Sequence, residues 1–261
     1  MIGIGAGDPR HMTIEAIEAL NAADVLFLLD KGEAMADLMH VREAICDRFL
    51  TNPACRTVVA PSPPRDAGSD YRTGVEAWHG EKAALYAAMI RDELEPDQTG
   101  AFLVWGDPAL YDSTLRILDA IRAAGNVDFE TRVVPGISAA QALAAAHGIP
   151  LNRIGAPVHL TTGRRLRDAM PLAADSVVFL DSGEALATIP ADDLDIFWGA
   201  YLGTPDQVLV AGPLAEVRDK ILRLRAEKRA AKGWIMDIYL LRRQEDRAGA
   251  QTPSSIARSG S

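Results

Sequence analysis

Ile2-Gly-Ile-Gly-Ala-Gly-Asp-Pro9 opens the chain, and its last three residues recur at the end of Ala101-Phe-Leu-Val-Trp-Gly-Asp-Pro108. In both places a short apolar run ends in Gly-Asp-Pro, which predicts a strand that leaves its sheet through a glycine turn. Ligands of open α/β sheets bind beyond the carboxyl ends of the strands. We therefore expect both turns to border one binding cleft, together with a third strand exit at Val133-Val-Pro-Gly-Ile-Ser138.

Strands and helices alternate around these turns, which predicts an α/β protein. Up to residue 134 the alternation is typical of a mostly parallel sheet, whereas the strands after residue 155 lie closer together and predict a mixed sheet. We expect an N-terminal lobe at 1–134, a C-terminal lobe at 135–243 and a disordered tail at 244–261. The predicted strands cover 25–29, 57–60, 101–105, 129–134, 158–161, 176–180, 197–202, 208–211 and 234–241, and the predicted helices 14–21, 37–47, 75–94, 113–124, 138–147 and 214–229.

The composition, with 48% hydrophobic and 24% charged residues, is that of an ordinary globular protein. Its net charge of −9 argues against nonspecific nucleic-acid binding, which needs clustered Lys and Arg. No apolar run approaches the roughly 20 residues that span a membrane, and no secretory leader opens the chain. We therefore expect a cytoplasmic protein without a membrane partner. Cys46 and Cys55 predict free thiols, and the histidines lack the spacing of a zinc site, so no metal is expected.

The glycines Gly3, Gly5 and Gly7 invite comparison with the dinucleotide-binding fingerprint. That fingerprint is G-x-G-x-x-G, and here the third glycine comes one residue early. Asp30 stands about where the fingerprint expects an acid at the end of the second strand. An NAD(P)-linked oxidoreductase therefore stays open as an alternative.

Taken together, the turns resemble the tetrapyrrole methylase superfamily. The chain departs from that pattern at Ala6, where the family usually has proline, and at Leu180, where methionine is common. The matching segments keep the family's order and extend to about residue 242. They are Gly3-Ile-Gly-Ala-Gly-Asp-Pro9 with Thr13, Trp105-Gly-Asp-Pro-Ala-Leu-Tyr111, Pro135-Gly-Ile-Ser-Ala139, Gly148-Ile-Pro-Leu151 and Gly203-Thr-Pro-Asp-Gln-Val-Leu-Val-Ala-Gly-Pro-Leu214.

This resemblance implies the two-lobed class III methyltransferase fold, with S-adenosyl-L-methionine bound between the lobes, a tetrapyrrole as substrate and a homodimer as the assembly. Backbone groups hold most of the cofactor in that family, so the departures at Ala6 and Leu180 are compatible with binding. The helix start at Ser138 also offers N–H groups to a polar part of the ligand. The resemblance places the cofactor against Ala6, Trp105, Gly106, Asp107, Leu110, Ser138, Ala139, Leu180 and Gly203.

Two segments, Lys31 to Cys46 and Asp70 to His79, resemble one branch of the superfamily. That branch methylates C1 of precorrin-5 in the aerobic route to cobalamin and releases an acetyl group as acetate. Two alternatives stay open beside it. The first is another member of the superfamily with a different substrate, and the second is a noncatalytic tetrapyrrole-binding protein.

Removal of an acetyl group needs water to attack a carbonyl, and a general base assists that attack. His79 is the first candidate for the base and Tyr71 the second, although a histidine beside Trp78 on an amphipathic helix is also typical of a packing residue. Asp107 is a further catalytic candidate. A carboxylate next to the sulfonium would stabilise the ground state and slow transfer, so we expect Asp107 to shape its loop or to contact a polar group of the ligand.

The implied substrate carries many carboxylates, so an acidic protein needs a basic patch beside its cleft. Arg164 and Arg165 suit bidentate carboxylate binding, although such a run is equally typical of a solvated loop. The predicted substrate-binding residues are Asp8, Lys31, Arg72, Trp78, Arg164 and Arg165.

Overall fold

A computed structural model of the chain describes residues 1–30, 32, 36–64, 71–170 and 172–244, and of 36–38 and 71–73 it describes the backbone alone. Three predictions therefore fall outside the described part of the chain. They concern Lys31, the side chains of Tyr71 and Arg72, and the tail beyond residue 244.

The N-terminal half forms a four-stranded parallel sheet in the order β1-β4-β2-β3. Strand side chains alternate between its two faces. Phe27 and Phe102 pack with Tyr86 on one face, while Leu26 and Leu103 pack on the other. The elements are β1 Ile2–Gly3, α1 Ile14–Asn21, β2 Val25–Asp30, α2 Ala36–Phe49, β3 Arg56–Pro61, α3 Tyr71–Glu93, β4 Gly100–Val104 and α4 Thr114–Ala124.

The C-terminal half forms a five-stranded sheet in the order β5-β6-β9-β7-β8. Its β5–β6 pair is parallel and its other pairs are antiparallel, which confirms the mixed sheet predicted from the sequence. Trp198 is fully buried at the centre of the core on one face of this sheet. The elements are α5 Ala139–His147, β5 Val158–Thr162, α6 Gly163–Asp168, β6 Asp175–Phe179, α7 Glu184–Thr188, β7 Leu194–Ala200, β8 Val208–Pro213, α8 Leu214–Lys232 and β9 Asp237–Arg243.

The predicted strand at 129–134 is wrong. Only Val134 pairs, through one parallel bridge to Ile2, with its N–H donating to the carbonyl of Met1 at 2.9 Å. The available partner, β1, is two residues long and has no further ladder positions to offer. The predicted lobe boundary near residue 135 stays a prediction.

Two short helices, α6 and α7, were not predicted. Each has five or six residues, which is too short to show a 3.6-residue hydrophobic period. The run that contains Arg164 and Arg165, for which a solvated loop was one of two interpretations, lies on α6. In the described part of the chain, no helix is long and apolar enough to cross a membrane.

Cys46 lies half-buried on α2 against the core next to β2. Burial raises the pKa of its thiol to about 11, helped by the neighbouring Cys55 thiol. The unfolded chain loses this proton near pH 8.5. Above that pH, deprotonation of the thiol therefore stabilises the unfolded state but not the folded state. We therefore expect stability to fall as the pH rises from about 8.5 to 11.

Urea unfolding midpoints at pH 7.5, 9 and 10.5 measure this slope. Cys46→Ala should flatten the pH dependence of stability more than Cys55→Ala does, because the Cys55 thiol is more exposed to solvent than the Cys46 thiol. An identical slope in wild type and Cys46→Ala would contradict the assignment.

Candidate functional site

The three strand exits are joined by their backbones at one edge of the N-terminal sheet. Gly106 N–H donates to the carbonyl of Gly5 at 2.8 Å, and Gly5 N–H donates back to Gly106 at 3.3 Å. Gly136 lies so close that a Cβ on it would come within 2.1 Å of the Gly106 carbonyl oxygen. The absence of side chains at these positions therefore lets the two Gly-Asp-Pro turns and the third exit contact one another.

The carboxylates of the two Gly-Asp-Pro turns bind neighbouring backbone. Asp107 Oδ2 accepts from Gly136 N–H at 2.9 Å, and its Oδ1 accepts from Ala109 N–H at 2.8 Å. Asp8 accepts from the backbone N–H of Arg10 and pairs with its guanidinium, whose hydrogen bond lowers the pKa of Asp8. Asp107 thus shapes its turn and fastens it to the third exit, which is the first of the two roles expected for it.

One cavity of about 240 Å³ lies beyond these turns, between the two sheets. All of the predicted cofactor-binding residues except Gly203 line it. Apolar side chains form much of its wall, and the start of α5 supplies polar main-chain groups. The predicted residues on its wall are Ala6, Trp105, Gly106, Asp107, Leu110, Ser138, Ala139 and Leu180.

Ser138 caps α5 through a reciprocal pair of hydrogen bonds with Gln141. Its side chain accepts from Gln141 N–H at 3.4 Å, and its own N–H donates to Gln141 Oε1 at 2.8 Å. The N–H groups of Ala139 and Ala140 lie in the first turn, where helix geometry provides no partner. They are the groups of this helix start that can meet a polar ligand atom.

A second cavity of about 680 Å³ adjoins the first, and Trp105 lines both. Gly203 and Asp8 lie on its wall, together with Arg10 and His40. Gly203 has φ +76°, and a Cβ there would lie 2.7 Å from the backbone nitrogen of Asp8. Gly203 therefore lets the loop after β7 approach the first turn, which closes this side of the cleft.

Leu180 stands out at the mouth of the smaller cavity. It follows β6 with φ +50°, and the residue is 70% exposed. A left-handed backbone costs a non-glycine residue about 1 kcal/mol or more, and residues held in such conformations cluster at functional sites. Tyr111, at φ +54°, lines the smaller cavity, and Tyr201, at φ +50°, lines the larger one.

The neighbouring Asp181 holds Leu180 in this position. Its carboxylate accepts from the N–H groups of Gly183 at 3.0 Å and Leu186 at 3.1 Å, and from the Tyr239 hydroxyl at 2.8 Å. Burial and the Asp181 charge raise the pKa of Tyr239 above its usual range, so this hydroxyl stays protonated and acts as the hydrogen-bond donor to Asp181. The strained backbone is thus fixed from the C-terminal core.

Several predicted residues do not join either cavity. Trp78 lies on α3 with its Nε1 donating to the Pro63 carbonyl at 2.9 Å, and its ring contacts those of His79 and the ammonium of Lys82. Arg164 and Arg165 are exposed on α6. Within the described part of the chain, none of Trp78, His79, Arg164 or Arg165 lines the two cavities described above.

The structure also brings to the smaller cavity residues that the sequence interpretation did not assign to it, among them Arg42, Tyr111 and Asp112. Arg42 is part of the segment Lys31 to Cys46 that carried the branch resemblance, which was the available signal. The sequence of that segment did not show which side chains of α2 face the cleft. Among the described residues, no three His, Cys, Asp or Glu side chains are grouped as metal ligands.

Comparison with known proteins bears on this fold and site. Residues 1–218 match the family of tetrapyrrole (corrin/porphyrin) methylases. The chain is 50% identical over 248 residues to a precorrin-6A synthase [deacetylating] of Sinorhizobium sp., covering 94% of this chain and 95% of that protein. A precorrin-2 C(20)-methyltransferase of Sinorhizobium sp. is 29% identical over 64% of this chain and 68% of its own length.

Solved structures give the same result. A cobalamin-synthesis-related protein of Corynebacterium diphtheriae, CobF, superposes with a TM-score of 0.79 at 38% identity, over 94% of this chain and 97% of that one. A cobalt-precorrin-4 methyltransferase superposes with a TM-score of 0.62 at 20% identity, over 92% of each chain, and shows the fold alone. These matches confirm the predicted fold class and the predicted family resemblance. The chain therefore belongs to the tetrapyrrole (corrin/porphyrin) methylases.

Proposed function

We propose that the chain methylates C1 of precorrin-5, with S-adenosyl-L-methionine as the methyl donor, and releases the acetyl substituent as acetate to give precorrin-6A. The half-identical relative whose name includes deacetylation supports this choice within the family. One structural observation carries the proposal. The cofactor positions implied by the family resemblance come from separate strand exits, yet all but one line a single cavity between the two sheets.

The residues of that cavity fit the proposed donor. Leu110 and Leu180 offer apolar surface for an adenine ring, while Gly106 and the first turn of α5 offer main-chain groups for its polar atoms. When bound, S-adenosyl-L-methionine would supply an already activated methyl group, so its transfer needs an aligned acceptor more than a protein nucleophile. Trp105 lines both cavities, so a macrocycle in the larger one would meet the donor around this indole.

Incubation of the purified protein with precorrin-5 and S-adenosyl-L-methionine tests the proposal. We expect one methyl group gained and one acetate released per turnover, measured by mass spectrometry and an acetate assay. Methylation without acetate would indicate another reaction of the family. Calorimetric titration with S-adenosylhomocysteine and with NADPH separates the oxidoreductase alternative, since binding of NADPH alone would contradict the donor assignment.

The family resemblance also implies a homodimer acting in the cytoplasm, and we include both in the proposal. The chain has a mass of 28.0 kDa. Light scattering coupled to size-exclusion chromatography should give twice that mass, and a monomer mass would overturn this part of the proposal.

Leu180→Gly should separate strain from binding. Glycine adopts the left-handed backbone without penalty, so we expect the free energy of unfolding to change by no more than about 1 kcal/mol, towards greater stability. Loss of the apolar side chain should weaken S-adenosylhomocysteine binding about tenfold, since burying a leucine contributes roughly 1.5–3 kcal/mol.

Asp193→Gly is the matched control for this substitution. Asp193 has φ +57° but lies immediately before β7 and, among the described residues, lines neither cavity. Its replacement should change stability similarly and leave S-adenosylhomocysteine affinity unchanged. Equal affinity in wild type and Leu180→Gly would remove Leu180 from the cofactor site.

A further inference from the structure

Three carboxylates line the smaller cavity in the described part of the chain, and they differ in what their oxygens bind. Asp107 uses both oxygens on backbone N–H groups. Asp237 accepts hydrogen bonds from the Arg225 guanidinium on both oxygens and from the Trp198 indole N–H on one of them. Asp112 accepts from Thr114 N–H at 2.7 Å through Oδ1, and its Oδ2 accepts no hydrogen bond from another described residue.

Arg42 is the one basic side chain that lines this cavity among the described residues. Its Nε donates to the carbonyl of Leu103 at 3.4 Å, near the end of β4, which holds the guanidinium beside the turn that begins at Trp105. Burial lowers the pKa of Arg42, while the charge of Asp112 and the Tyr86 phenol oppose that shift. A partly desolvated guanidinium at a cavity wall binds an oxygen atom more strongly than one in water.

Tyr86 lies behind this pair, in the core between α3 and β4. Burial, followed by the Asp112 charge, raises the pKa of its phenol to about 12, and its hydroxyl interacts with Thr114. Tyr86 therefore stays neutral at physiological pH. It supports the start of α4, where Asp112 is fixed, and adds no second negative charge.

The proposed reaction removes an acetyl group from the same carbon that receives the methyl group. The groups that remove it must therefore lie beside the methyl donor. Arg42 and Asp112 share a cavity with the proposed donor-binding residues Leu110 and Leu180, whereas His79 does not line it. Geometry thus favours the pair at the cavity wall over the histidine on α3.

Building on the proposed function, we propose that Arg42 and Asp112 form the acetyl-hydrolysis site, in which Asp112 is the general base for water and Arg42 binds the acetyl oxygen. Water oxygen attacks the acetyl carbonyl carbon as one water proton passes to Asp112 Oδ2, and the carbonyl electron pair moves onto the oxygen facing Arg42. When that pair re-forms the carbonyl, the bond to C1 breaks and acetic acid leaves. The electron pair left on C1 would form the new bond to the donor's methyl group as the methyl–sulfur bond breaks, with S-adenosylhomocysteine as the leaving group, and Asp112 returns its proton to solvent.

Asp112→Asn tests the base directly. Asparagine keeps an Oδ1 acceptor for Thr114 N–H, so the start of α4 is preserved, but it cannot take a proton from water. General bases contribute about 10²–10⁴-fold, so we expect acetate release to fall at least 100-fold. Affinity for S-adenosylhomocysteine should stay within threefold of wild type. In H₂¹⁸O, acetate from the wild type should carry one ¹⁸O atom.

Two further variants complete the experiment. Arg42→Lys keeps the charge but loses the planar fork, and we expect acetate release to fall about tenfold with donor affinity unchanged. Asp119→Asn is the matched control, because Asp119 lies exposed on α4, the helix that follows Asp112, and pairs with Arg122 at 3.1 Å. Its acetate release should stay within twofold of wild type.

Acetate release above one third of the wild-type rate in Asp112→Asn would overturn this inference and leave the proposed function standing. The absence of acetate from the wild type with precorrin-5 would instead overturn the proposed function, and this inference with it. Should Asp112→Asn fail to fold, unchanged acetate release in Arg42→Lys would overturn the paired site, and a tenfold loss would support it.

Discussion

Arg225→Met should lower the free energy of unfolding by about 3–5 kcal/mol, because it leaves the buried Asp237 carboxylate without its cation. Arg225 donates to Asp237 through Nε at 2.6 Å and Nη2 at 3.1 Å, and the two side chains are only 9% and 5% exposed. Burial alone would lower the pKa of Arg225, but Asp237 raises it, so the guanidinium stays charged.

The same substitution should also weaken cofactor binding. Arg225 Nη2 donates to the carbonyl of Asp181 at 2.7 Å, and Asp181 follows Leu180 at the cavity mouth. Chemical unfolding followed by circular dichroism measures the stability change, and calorimetry with S-adenosylhomocysteine measures binding. Arg223→Met is the matched control, since Arg223 is exposed on the same helix. A loss below about 1 kcal/mol for Arg225→Met, equal to that of the control, would contradict the expected role of this pair.

Gly136→Ala should disrupt the junction of the three strand exits. The added Cβ would lie 2.1 Å from the Gly106 carbonyl oxygen and 2.8 Å from the carbonyl carbon of Gly3. Both contacts are with backbone, so no side chain can turn aside and the exits must separate. We expect a loss of about 1–3 kcal/mol in stability. Because a misplacement of about 1 Å can cost 100-fold in rate, methyl transfer should fall by a similar factor.

Gly80→Ala is the control for this second prediction. Gly80 lies within α3, and a Cβ there would have no heavy atom within 4 Å. Alanine is the better helix residue, so the control should gain about 0.5–1 kcal/mol in stability without a change in transfer rate. Normal activity and stability of Gly136→Ala would show that the junction tolerates expansion.

Local chemistry explains the parts of the fold that the sequence predicted well. Thr13 caps α1 through its side chain, which accepts from Ala16 N–H at 3.0 Å, and the helix spans Ile14–Asn21 as predicted. The mixed second sheet also followed from the close spacing of its strands. The order β1-β4-β2-β3 did not follow, because it depends on which strands meet across long connections.

The candidate site divides in the same way. Ala6, Gly106 and Ser138 lie at strand exits, whose backbone places them together whatever the side chains around them. Arg42 and Asp112 reach the cavity from a helix and from a helix start, and neither local propensity nor spacing states which face turns inward. Trp78 and His79 show the converse, since residues of a distinctive motif lie on α3 away from both cavities.

The indole of Trp105 forms part of the wall of both cavities. Under the proposed function, a donor in one cavity and a macrocycle in the other would both contact this ring, which would link their two binding free energies. By thermodynamic reciprocity, the factor by which donor binding alters macrocycle affinity equals the factor by which the macrocycle alters donor affinity. Trp105 is thus placed to couple the affinities of the two proposed ligands.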